Sequence, residues 1–269
     1  MKNKTVQQFV ETYHLYEDDA IQQIQLQHRF SLVKAFNLQP GMRILEIGCG
    51  QGDTTMALAH IVGDSGFVKA IDIASGDYGA PMTLQEAHEN IKKSPLGSRI
   101  EFQLETDFLS LDTTEQYDAI VFSHCSWYFR DEAQLLQYFE HARSMTSQLC
   151  FAEWDTTYHT HEQSSHFFAV TILALFSQYV DNDGNIQAVF TKKHIQKLLN
   201  QANFTNCTLT EVDASYLQDG AWEQDYANSI QSEFSDAPPL IQTLLDALYD
   251  NMNTVQQSQS LNSFVIIAR

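Results

Sequence analysis

The chain has 269 residues, 43% of them hydrophobic, so it is long enough to bury a sizeable core as one large domain or two small ones. Aspartate and glutamate number 34 against 15 lysines and arginines, and the net charge of −19 disfavours nucleic acid and anionic membrane surfaces as partners. The longest apolar run, Phe167–Phe176, is too short to cross a bilayer, and the N-terminus lacks a signal-peptide core, so we expect a soluble cytoplasmic protein.

A helical pattern over residues 15–37 comes first, and strands then alternate with helices. The apolar runs predict five strands at Arg43–Ile47, Phe67–Asp72, Ile100–Leu104, Ala119–Ser123 and Leu149–Glu153. Helices are predicted between them near 53–62, 83–93 and 131–145. This alternation favours a parallel sheet with helices on both faces. Ligands of such sheets bind beyond the carboxyl ends of the strands, where the strand order reverses.

The rhythm changes after Glu153. The patterns predict helices at 161–180, 191–202, 222–233 and 239–252, and strands at Phe204–Val212 and Leu261–Ala268. Between Leu198 and Ala268 there are nine acidic residues and no lysine or arginine, which favours a solvated acidic face over a site for a cationic partner. The four cysteines form no C-x-x-C pair and the histidines between residues 154 and 180 complete no ligand set, so we expect reduced thiols and no metal.

The most informative segment follows the first strand, where residues 46–52 read Glu-Ile-Gly-Cys-Gly-Gln-Gly. Glycines at alternate positions let the backbone turn sharply and approach a ligand, and the following helix offers free N–H groups. A dinucleotide fold prefers G-x-G-x-x-G, so the third glycine comes one residue early here. Glu46 would repel a pyrophosphate but suits a ligand with an ammonium group. A tight turn without a ligand is the alternative.

Acidic side chains also follow the next two predicted strands. Asp72 ends the second strand, where a carboxylate can accept hydrogen bonds from both hydroxyls of a ribose. A simple turn residue is the alternative at that position. Asp107 and Phe108 follow the third strand. Three acidic residues at the ends of three successive strands, beside a glycine turn, indicate one shared ligand.

The pattern E-x-G-x-G-x-G resembles motif I of the class I S-adenosylmethionine-dependent methyltransferases, and the resemblance covers roughly residues 15–269. It implies a doubly wound α/β fold with a seven-stranded, mostly parallel sheet in the order 3-2-1-4-5-7-6, strand 7 antiparallel, with an N-terminal helix and a helical cap after strand 5. It also implies S-adenosylmethionine as cofactor, with its methionine moiety at Glu46 and the glycine turn, its ribose at Asp72 and its adenine at Asp107 and Phe108. The predicted cofactor site comprises Glu46, Gly48, Cys49, Gly50, Gly52, Asp72, Ile73, Asp107, Phe108 and Ser123.

Two segments depart from the family pattern. The loop after Asp72 is longer than usual, so Asp77 could hold the ribose in its place. Residues 123–129 read Ser-His-Cys-Ser-Trp-Tyr-Phe where members that methylate amino groups of DNA often carry Asn-Pro-Pro-Tyr or a similar tetrad. This difference argues against amino methylation of DNA bases.

The methyl acceptor is expected beyond the fourth and fifth strands. His124 is the candidate catalytic residue, acting as a general base if the acceptor is a hydroxyl or a protonated amine; a structural histidine is the alternative. The predicted substrate pocket comprises Trp127, Tyr128, Trp154, Tyr158 and His166. We expect one domain over residues 1–269, with residues 1–40 as a helical lid that carries Tyr13 and Tyr16, and residues 154–190 as a cap insertion.

The sequence therefore predicts a methyltransferase that transfers a methyl group to a small molecule, most readily at oxygen or nitrogen. A non-catalytic protein that binds S-adenosylmethionine or S-adenosylhomocysteine is the first alternative, and a methyltransferase acting on protein or RNA is the second. A nicotinamide-dependent oxidoreductase is disfavoured by the glycine spacing and Glu46. The sequence does not identify the acceptor or the oligomeric state.

Overall fold

The structure is a computed structural model that describes residues 4–80, 82–180, 182 and 184–269. Within these residues one sheet contains seven strands: β1 (Arg43–Ile47), β2 (Phe67–Ile71), β3 (Ile100–Gln103), β4 (Ala119–Ser123), β5 (Leu149–Trp154), β6 (Cys207–Val212) and β7 (Ser263–Ala268). Their order is β3-β2-β1-β4-β5-β7-β6, and β7 runs antiparallel to both β5 and β6. The predicted fold class is confirmed, and the strand order reverses between β1 and β4.

Helices connect and flank the strands. Their bounds are α1 (Lys4–Tyr13), α2 (Ala20–Ala35), α3 (Asp53–Val62), α4 (Leu84–Lys93), α5 (Glu132–Met145), α6 (His161–Tyr179), α7 (Lys192–Gln201), α8 (Asp219–Ser229) and α9 (Pro239–Asn253). In the described ranges, none of these helices has both the length and the apolar character needed to span a membrane. The bounds of α3, α4 and α5 agree with the sequence prediction to within one residue.

The N-terminal region and the acidic C-terminal third differ from their predicted bounds. The helix predicted over 15–37 is shorter, because Asp19 accepts a hydrogen bond from the Gln22 N–H (3.0 Å) and so makes Ala20 the first residue of α2, which ends at Ala35. The prediction missed α1, whose buried residues Val6, Phe9 and Tyr13 recur at helical spacing. The helix predicted at 222–233 begins earlier, at Asp219, and its last turn is a separate 3₁₀ helix.

Side chains alternate across β1 and so divide the core between two faces of the sheet. Leu45 and Ile47 belong to the cluster that packs under α5 to α9, while Ile44 belongs to the cluster under α1 to α4. Glu46 shares the face of Ile44. The carboxyl ends of β1 and β4 meet at the point where the strand order reverses. They are flanked by α2 and α3 on one side and by the loop after β4 on the other.

Candidate functional site

The glycine turn after β1 is built from three glycines with positive φ angles: +71° at Gly48, +50° at Gly50 and +92° at Gly52. A Cβ atom at Gly48 would lie 2.7 Å from the Cys125 Cβ, and one at Gly52 would lie 2.7 Å from the Ile91 Cδ1, so these two glycines permit close packing. A Cβ at Gly50 would meet nothing within 4 Å. Gly50 therefore presents bare backbone to open space.

Asp72 ties this turn to the end of β2. Its Oδ2 accepts a hydrogen bond from the Gly50 N–H (2.8 Å), and its Oδ1 accepts one from the Ala74 N–H (2.9 Å). A carboxylate oxygen has two lone pairs, so both oxygens keep the capacity to accept from a ligand. The structure thus joins the predicted turn and the predicted ribose residue into one unit. Asp77 is exposed and does not line the cavity described below.

His88 on α4 supports the same turn from behind and was not found from the sequence. Its Nε2 lies 2.7 Å from the Gly50 carbonyl oxygen, to which it donates, and its ring stacks on Phe102 with centroids 3.8 Å apart. Burial lowers the pKa of His88, which keeps the ring neutral with one N–H to donate. The turn is therefore held from two sides, by Asp72 and by His88.

Glu46 is a buried carboxyl group beside the turn. Its Oε2 accepts a hydrogen bond from the Thr55 Oγ1 (2.5 Å). Burial raises the pKa of Glu46 to about 8, opposed by the Thr55 hydrogen bond and by the positive charge of Arg29. Near neutral pH the group therefore tends to hold its proton, and a cation in the site would favour its ionised form.

A cavity of about 450 Å³ opens over these groups at the carboxyl ends of β1, β2 and β4. Cofactor and small-molecule sites span roughly 300–1,000 Å³, so its size suits a ligand such as a nucleoside with an amino-acid side chain. Eight of the ten predicted cofactor residues line the cavity, and Gly52 and Asp107 do not. The lining includes the predicted residues Glu46, Gly48, Cys49, Gly50, Asp72, Ile73, Phe108 and Ser123, together with His124 and Tyr128.

The cavity wall near the end of β3 includes the rings of Phe108 and Tyr138. Phe108 is almost fully buried, and its ring lies 5.5 Å from that of Tyr138. Asp107 lies outside the wall, where its Oδ1 accepts hydrogen bonds from the Tyr138 hydroxyl (2.6 Å) and the Leu109 N–H (3.0 Å). Tyr138 lies on α5, and the sequence prediction missed its role in fixing Asp107.

His124 follows β4 with a φ of +51°, in the left-handed region that a non-glycine residue rarely adopts. Its Nδ1 lies 3.1 Å from the Glu153 Oε1, and its Nε2 lies 3.2 Å from the Ser263 Oγ and 3.4 Å from the His28 Nε2. Glu153 also accepts hydrogen bonds from the Ser126 N–H, the Ser126 hydroxyl and the Trp154 N–H. Because the Glu153 carboxylate can only accept hydrogen bonds, the His124 Nδ1 carries the proton and donates to it. The lone pair of the neutral ring is therefore assigned to Nε2.

The other predicted acceptor residues occupy different surroundings. Tyr128 is half-exposed and lines the cavity, whereas Trp127, Trp154, Tyr158 and His166 are not among its described lining residues. Trp127 is buried in the core, and its carbonyl oxygen accepts hydrogen bonds from the Gln187 and Ala188 N–H groups. Tyr158 is exposed and packs against Phe167.

Trp154 and His166 lie behind His124 rather than in the cavity wall. The Trp154 ring is 4.5 Å from the His124 ring and 5.2 Å from the His166 ring, and it stacks on His28 at 5.9 Å. His166 is fully buried, and burial lowers its pKa to about 4. These rings hold His124 in place and connect it to α2 and α6.

The N-terminal region contributes Arg29, which the sequence prediction did not assign, and Tyr13 and Tyr16, which it assigned to a lid. Arg29 on α2 lines the cavity, and its Nη1 is buried without a hydrogen-bond partner in the described part of the chain. One face of α2 carries polar residues at helical spacing, namely Gln22, Gln25 and Arg29. Because α2 packs against α3, this polar stripe was the feature of the sequence that could have identified Arg29 as a site residue. Tyr16 donates a hydrogen bond to the Asp53 Oδ1 (2.9 Å), and the Tyr13 hydroxyl lies 3.1 Å from the His60 Nδ1.

The four cysteines are free thiols, as expected. Cys49 and Cys125 lie beside the turn, and burial raises both of their pKa values well above the ordinary range, so they are protonated. Among the residues that the structure describes, no three His, Cys, Asp or Glu side chains are grouped so that they could hold a metal ion.

Comparison with known proteins gives a family match over most of the chain. A family model described as a methyltransferase domain matches residues 38–203. Methyltransferase phomM of Diaporthe leptostromiformis is 32% identical over 107 residues, which cover 33% of this chain and 28% of that protein. A tRNA (adenine(58)-N(1))-methyltransferase, TrmI, of Thermus thermophilus is 32% identical over 101 residues, or 34% of this chain and 37% of that one. The chain thus spans about a third of the length of these curated relatives.

Solved structures extend the similarity to the whole chain. A cyclopropane-fatty-acyl-phospholipid synthase-like protein from Lactobacillus casei has a TM-score of 0.87, with 30% identity and 98% of both chains covered. Phosphoethanolamine N-methyltransferase 2 of Haemonchus contortus, solved in complex with S-adenosyl-L-methionine, has a TM-score of 0.53 with 14% identity. The similarity covers 90% of this chain and 52% of that chain, and at 14% identity it shows the fold alone.

Proposed function

The chain belongs to the class I S-adenosylmethionine-dependent methyltransferases, and we propose that it transfers the cofactor's methyl group to an oxygen or nitrogen atom of a small-molecule acceptor. One observation carries the proposal: a single cavity runs from the glycine turn to His124, whose Nδ1 is engaged by a carboxylate. The same cavity thus has room for the cofactor and is lined by the His124 imidazole, which would contact the methyl acceptor beside the cofactor.

The residues around the turn fit S-adenosylmethionine. Gly50 leaves room for the methionine moiety, and Asp72 keeps lone pairs for the ribose hydroxyls. Glu46 would accept the ammonium group, and Arg29, whose Nη1 has no partner among the described residues, would bind the carboxylate of the same moiety. The aromatic wall at Phe108 would hold the adenine, with Asp107 at its edge. We thus retain the cofactor roles that the sequence predicted and add Arg29.

Bound cofactor supplies an activated methyl group and its leaving group, so the chain's own task is alignment, exclusion of water and removal of a proton. His124 is suited to the last of these, because Glu153 keeps the proton on Nδ1 and leaves the Nε2 lone pair free to accept one. Ser263 and His28 hold Nε2 at 3.2 and 3.4 Å, distances loose enough for an acceptor hydroxyl or amine to compete. We propose α1 and α2 as a lid over the site and residues 154–190 as its cap.

Two other acceptor classes have relatives among the comparisons. TrmI methylates tRNA by name, but a net charge of −19 opposes binding of a phosphate backbone. The Lactobacillus casei protein is described as similar to a synthase that acts on fatty-acyl phospholipid. In this chain, buried polar side chains from α2 and α6 lie next to His124, and they favour a polar acceptor over an acyl chain.

A labelling experiment tests the proposal. Purified protein is incubated with S-adenosylmethionine carrying a labelled methyl group and with fractionated metabolite extracts, and label is sought in small molecules. We expect transfer by the wild type and by His161→Ala, whose exposed histidine begins α6, and a large loss for His124→Ala. Cofactor binding without transfer into any fraction would instead support a non-catalytic binding protein, and label in protein or RNA would move the acceptor to those classes.

A further inference from the structure

Two carboxylates of α8 lie close to the acceptor side of the site. Asp219 and Glu223 are four residues apart and therefore share one face of the helix. The Asp219 Oδ2 accepts a hydrogen bond from the Gln25 Nε2 (2.8 Å), and the Glu223 Oε1 accepts one from the Asn185 Nδ2 (2.7 Å). We call Gln25, His166, Asp219 and Glu223 the α2–α8 polar cluster.

Two members of this cluster have buried polar atoms without a partner among the described residues. They are the Gln25 Oε1, on a side chain 7% exposed, and the His166 Nε2, on a side chain with no exposure. The other nitrogen of His166 accepts a hydrogen bond from the Leu261 N–H (2.9 Å), so Nε2 is a donor. Native proteins rarely leave buried polar atoms unpaired, because each costs about 1–3 kcal/mol. The unpaired Gln25 Oε1 therefore indicates a ligand that donates a hydrogen bond to the cluster, whereas the His166 Nε2–H needs an acceptor atom.

The cluster is adjacent to the cofactor cavity. The charge of Glu223 contributes to the raised pKa of Tyr128, a residue of the cavity wall. His166 is close enough to both Asp219 and His124 for the first to raise and the second to lower its pKa, although burial is the largest cause of its shift. The geometry agrees, because Gln25 precedes His28 by three residues on α2 and the His28 Nε2 lies 3.4 Å from the His124 Nε2, which places the cluster beside His124.

The balance of charge in the cluster selects the ligand. The cluster has two carboxylates and one unpaired amide oxygen, and the donors described beside them, the amides of Gln25 and Asn185 and the His166 Nε2–H, are all neutral. Burial raises the pKa of Glu223 to about 7, with Asp219 adding to the rise and the Asn185 hydrogen bond opposing it, so a cation would be stabilised there by ionising Glu223. Arg29 lies on the same helix as Gln25, but its positive charge lowers the pKa of Glu46 and is not among the causes of the Glu223 shift. An acceptor ending in a carboxylate or phosphate would meet two like charges.

We propose that the α2–α8 polar cluster binds an ammonium group of the methyl acceptor, so that the substrate is a small amine. The inference rests on the proposed function, since it names the substrate class of the same site. The sequence favoured a solvated face for the nine acidic residues of the C-terminal third. For two of them, Asp219 and Glu223, the inference replaces that interpretation with a binding site.

The test uses analogues of S-adenosylhomocysteine in which nitrogen replaces sulfur and carries a chain of two, three or four carbons. Each chain ends in either an amine or a hydroxyl group, and affinities are measured by calorimetry. We expect the amine to bind roughly 10- to 100-fold more tightly than the hydroxyl at one chain length or more, as for a hydrogen bond to a charged group. Glu223→Gln should remove most of that preference while keeping the affinity for S-adenosylhomocysteine. Asp225→Asn, an exposed acidic residue of the same helix, is the matched control and should keep the preference.

The outcomes separate the two proposals. Equal or weaker binding of the amine at every chain length in the wild type overturns the ammonium site, as does a preference that Glu223→Gln leaves intact. Failure of both analogues to bind, when S-adenosylhomocysteine binds, also overturns it. If S-adenosylhomocysteine itself does not bind, the cofactor seat of the proposed function has failed. The wild-type comparison decides the inference even if Glu223→Gln does not fold.

Discussion

Asp72→Ala should weaken cofactor binding in two separable ways, because the carboxylate has two tasks. In the free protein it accepts the Gly50 and Ala74 N–H groups at 2.8 and 2.9 Å, and in the complex it would also accept from the ribose. Loss of the first task destabilises the turn in the absence of ligand. Loss of the second weakens ligand binding. A single measurement of activity would not distinguish them.

The two effects can be measured by thermal unfolding with and without S-adenosylhomocysteine. Without ligand, the lost hydrogen bonds to a charged acceptor should lower the free energy of unfolding by about 1–3 kcal/mol. With ligand at 100 times the wild-type Kd, the wild type gains about 2.7 kcal/mol, whereas a variant with tenfold weaker binding gains about 1.4 kcal/mol. A hundredfold loss leaves a gain of only about 0.4 kcal/mol.

Asp77→Ala is the matched control, because Asp77 is an exposed carboxylate in the same loop. It should leave both the ligand-free stability and the ligand-induced gain unchanged. Normal binding by Asp72→Ala together with weak binding by Asp77→Ala would refute the reasoning and move the ribose contact into the long loop. A loss of ligand-free stability without any loss of affinity would leave Asp72 a role in the turn alone.

Three further outcomes are expected. Gly50→Val should weaken S-adenosylhomocysteine binding by at least about tenfold in calorimetry, because a side chain at a φ of +50° is strained and fills the open space over the turn. Gly63→Val is the control, because Gly63 also has a positive φ and open space around it but lies outside the cavity. This variant should lower stability and leave the affinity unchanged. His124→Ala should lower kcat by roughly 10²- to 10⁴-fold for a hydroxyl acceptor and much less for a neutral amine, with cofactor affinity nearly unchanged; an equal loss of affinity would make His124 structural. The raised pKa of Glu46, about 8 against 4.5, means that the folded protein holds a proton between these values which the unfolded chain has lost. This group therefore favours the folded state less as pH rises from about 4.5 to about 8, so ligand-free stability should fall less with pH in Glu46→Gln, and an identical pH slope in both proteins would contradict the assignment.

The predicted site residues that the structure brings together at the cavity are those fixed by short segments. The glycine turn needs positive φ at three positions, and only a local glycine pattern supplies it. Asp72 follows directly from the end of its strand. Asp107 was predicted in the right loop, but its final environment depends on Tyr138, which lies 31 residues further along the chain and binds its carboxylate.

Most of the aromatic residues predicted on the acceptor side are not among the described lining of the cavity, because hydrophobic patterning does not say which way a ring points. Trp127 and Trp154 lie in the segments after β4 and β5, as the sequence indicated, yet one is buried in the core and the other supports His124. Glu153 shows the same difficulty. Its place at the end of β5 was read as the end of a strand, and only packing reveals that it accepts four hydrogen bonds and fixes the orientation of His124.

The two ends of the site also differ in where their residues lie along the chain. The side chains proposed to hold the cofactor, apart from Arg29, come from the segment between Glu46 and Tyr138, which the family match over residues 38–203 contains. Gln25 lies before that segment, Asp219 and Glu223 lie after it, and the Gln25–Asp219 hydrogen bond joins residues 194 positions apart. No local pattern can specify such a contact, and neither residue lies within the segment that the family model matches. Under the proposed ammonium site, substitutions of Gln25, Asp219 or Glu223 would change the choice of acceptor and leave the proposed cofactor residues, including Arg29 of α2, in place.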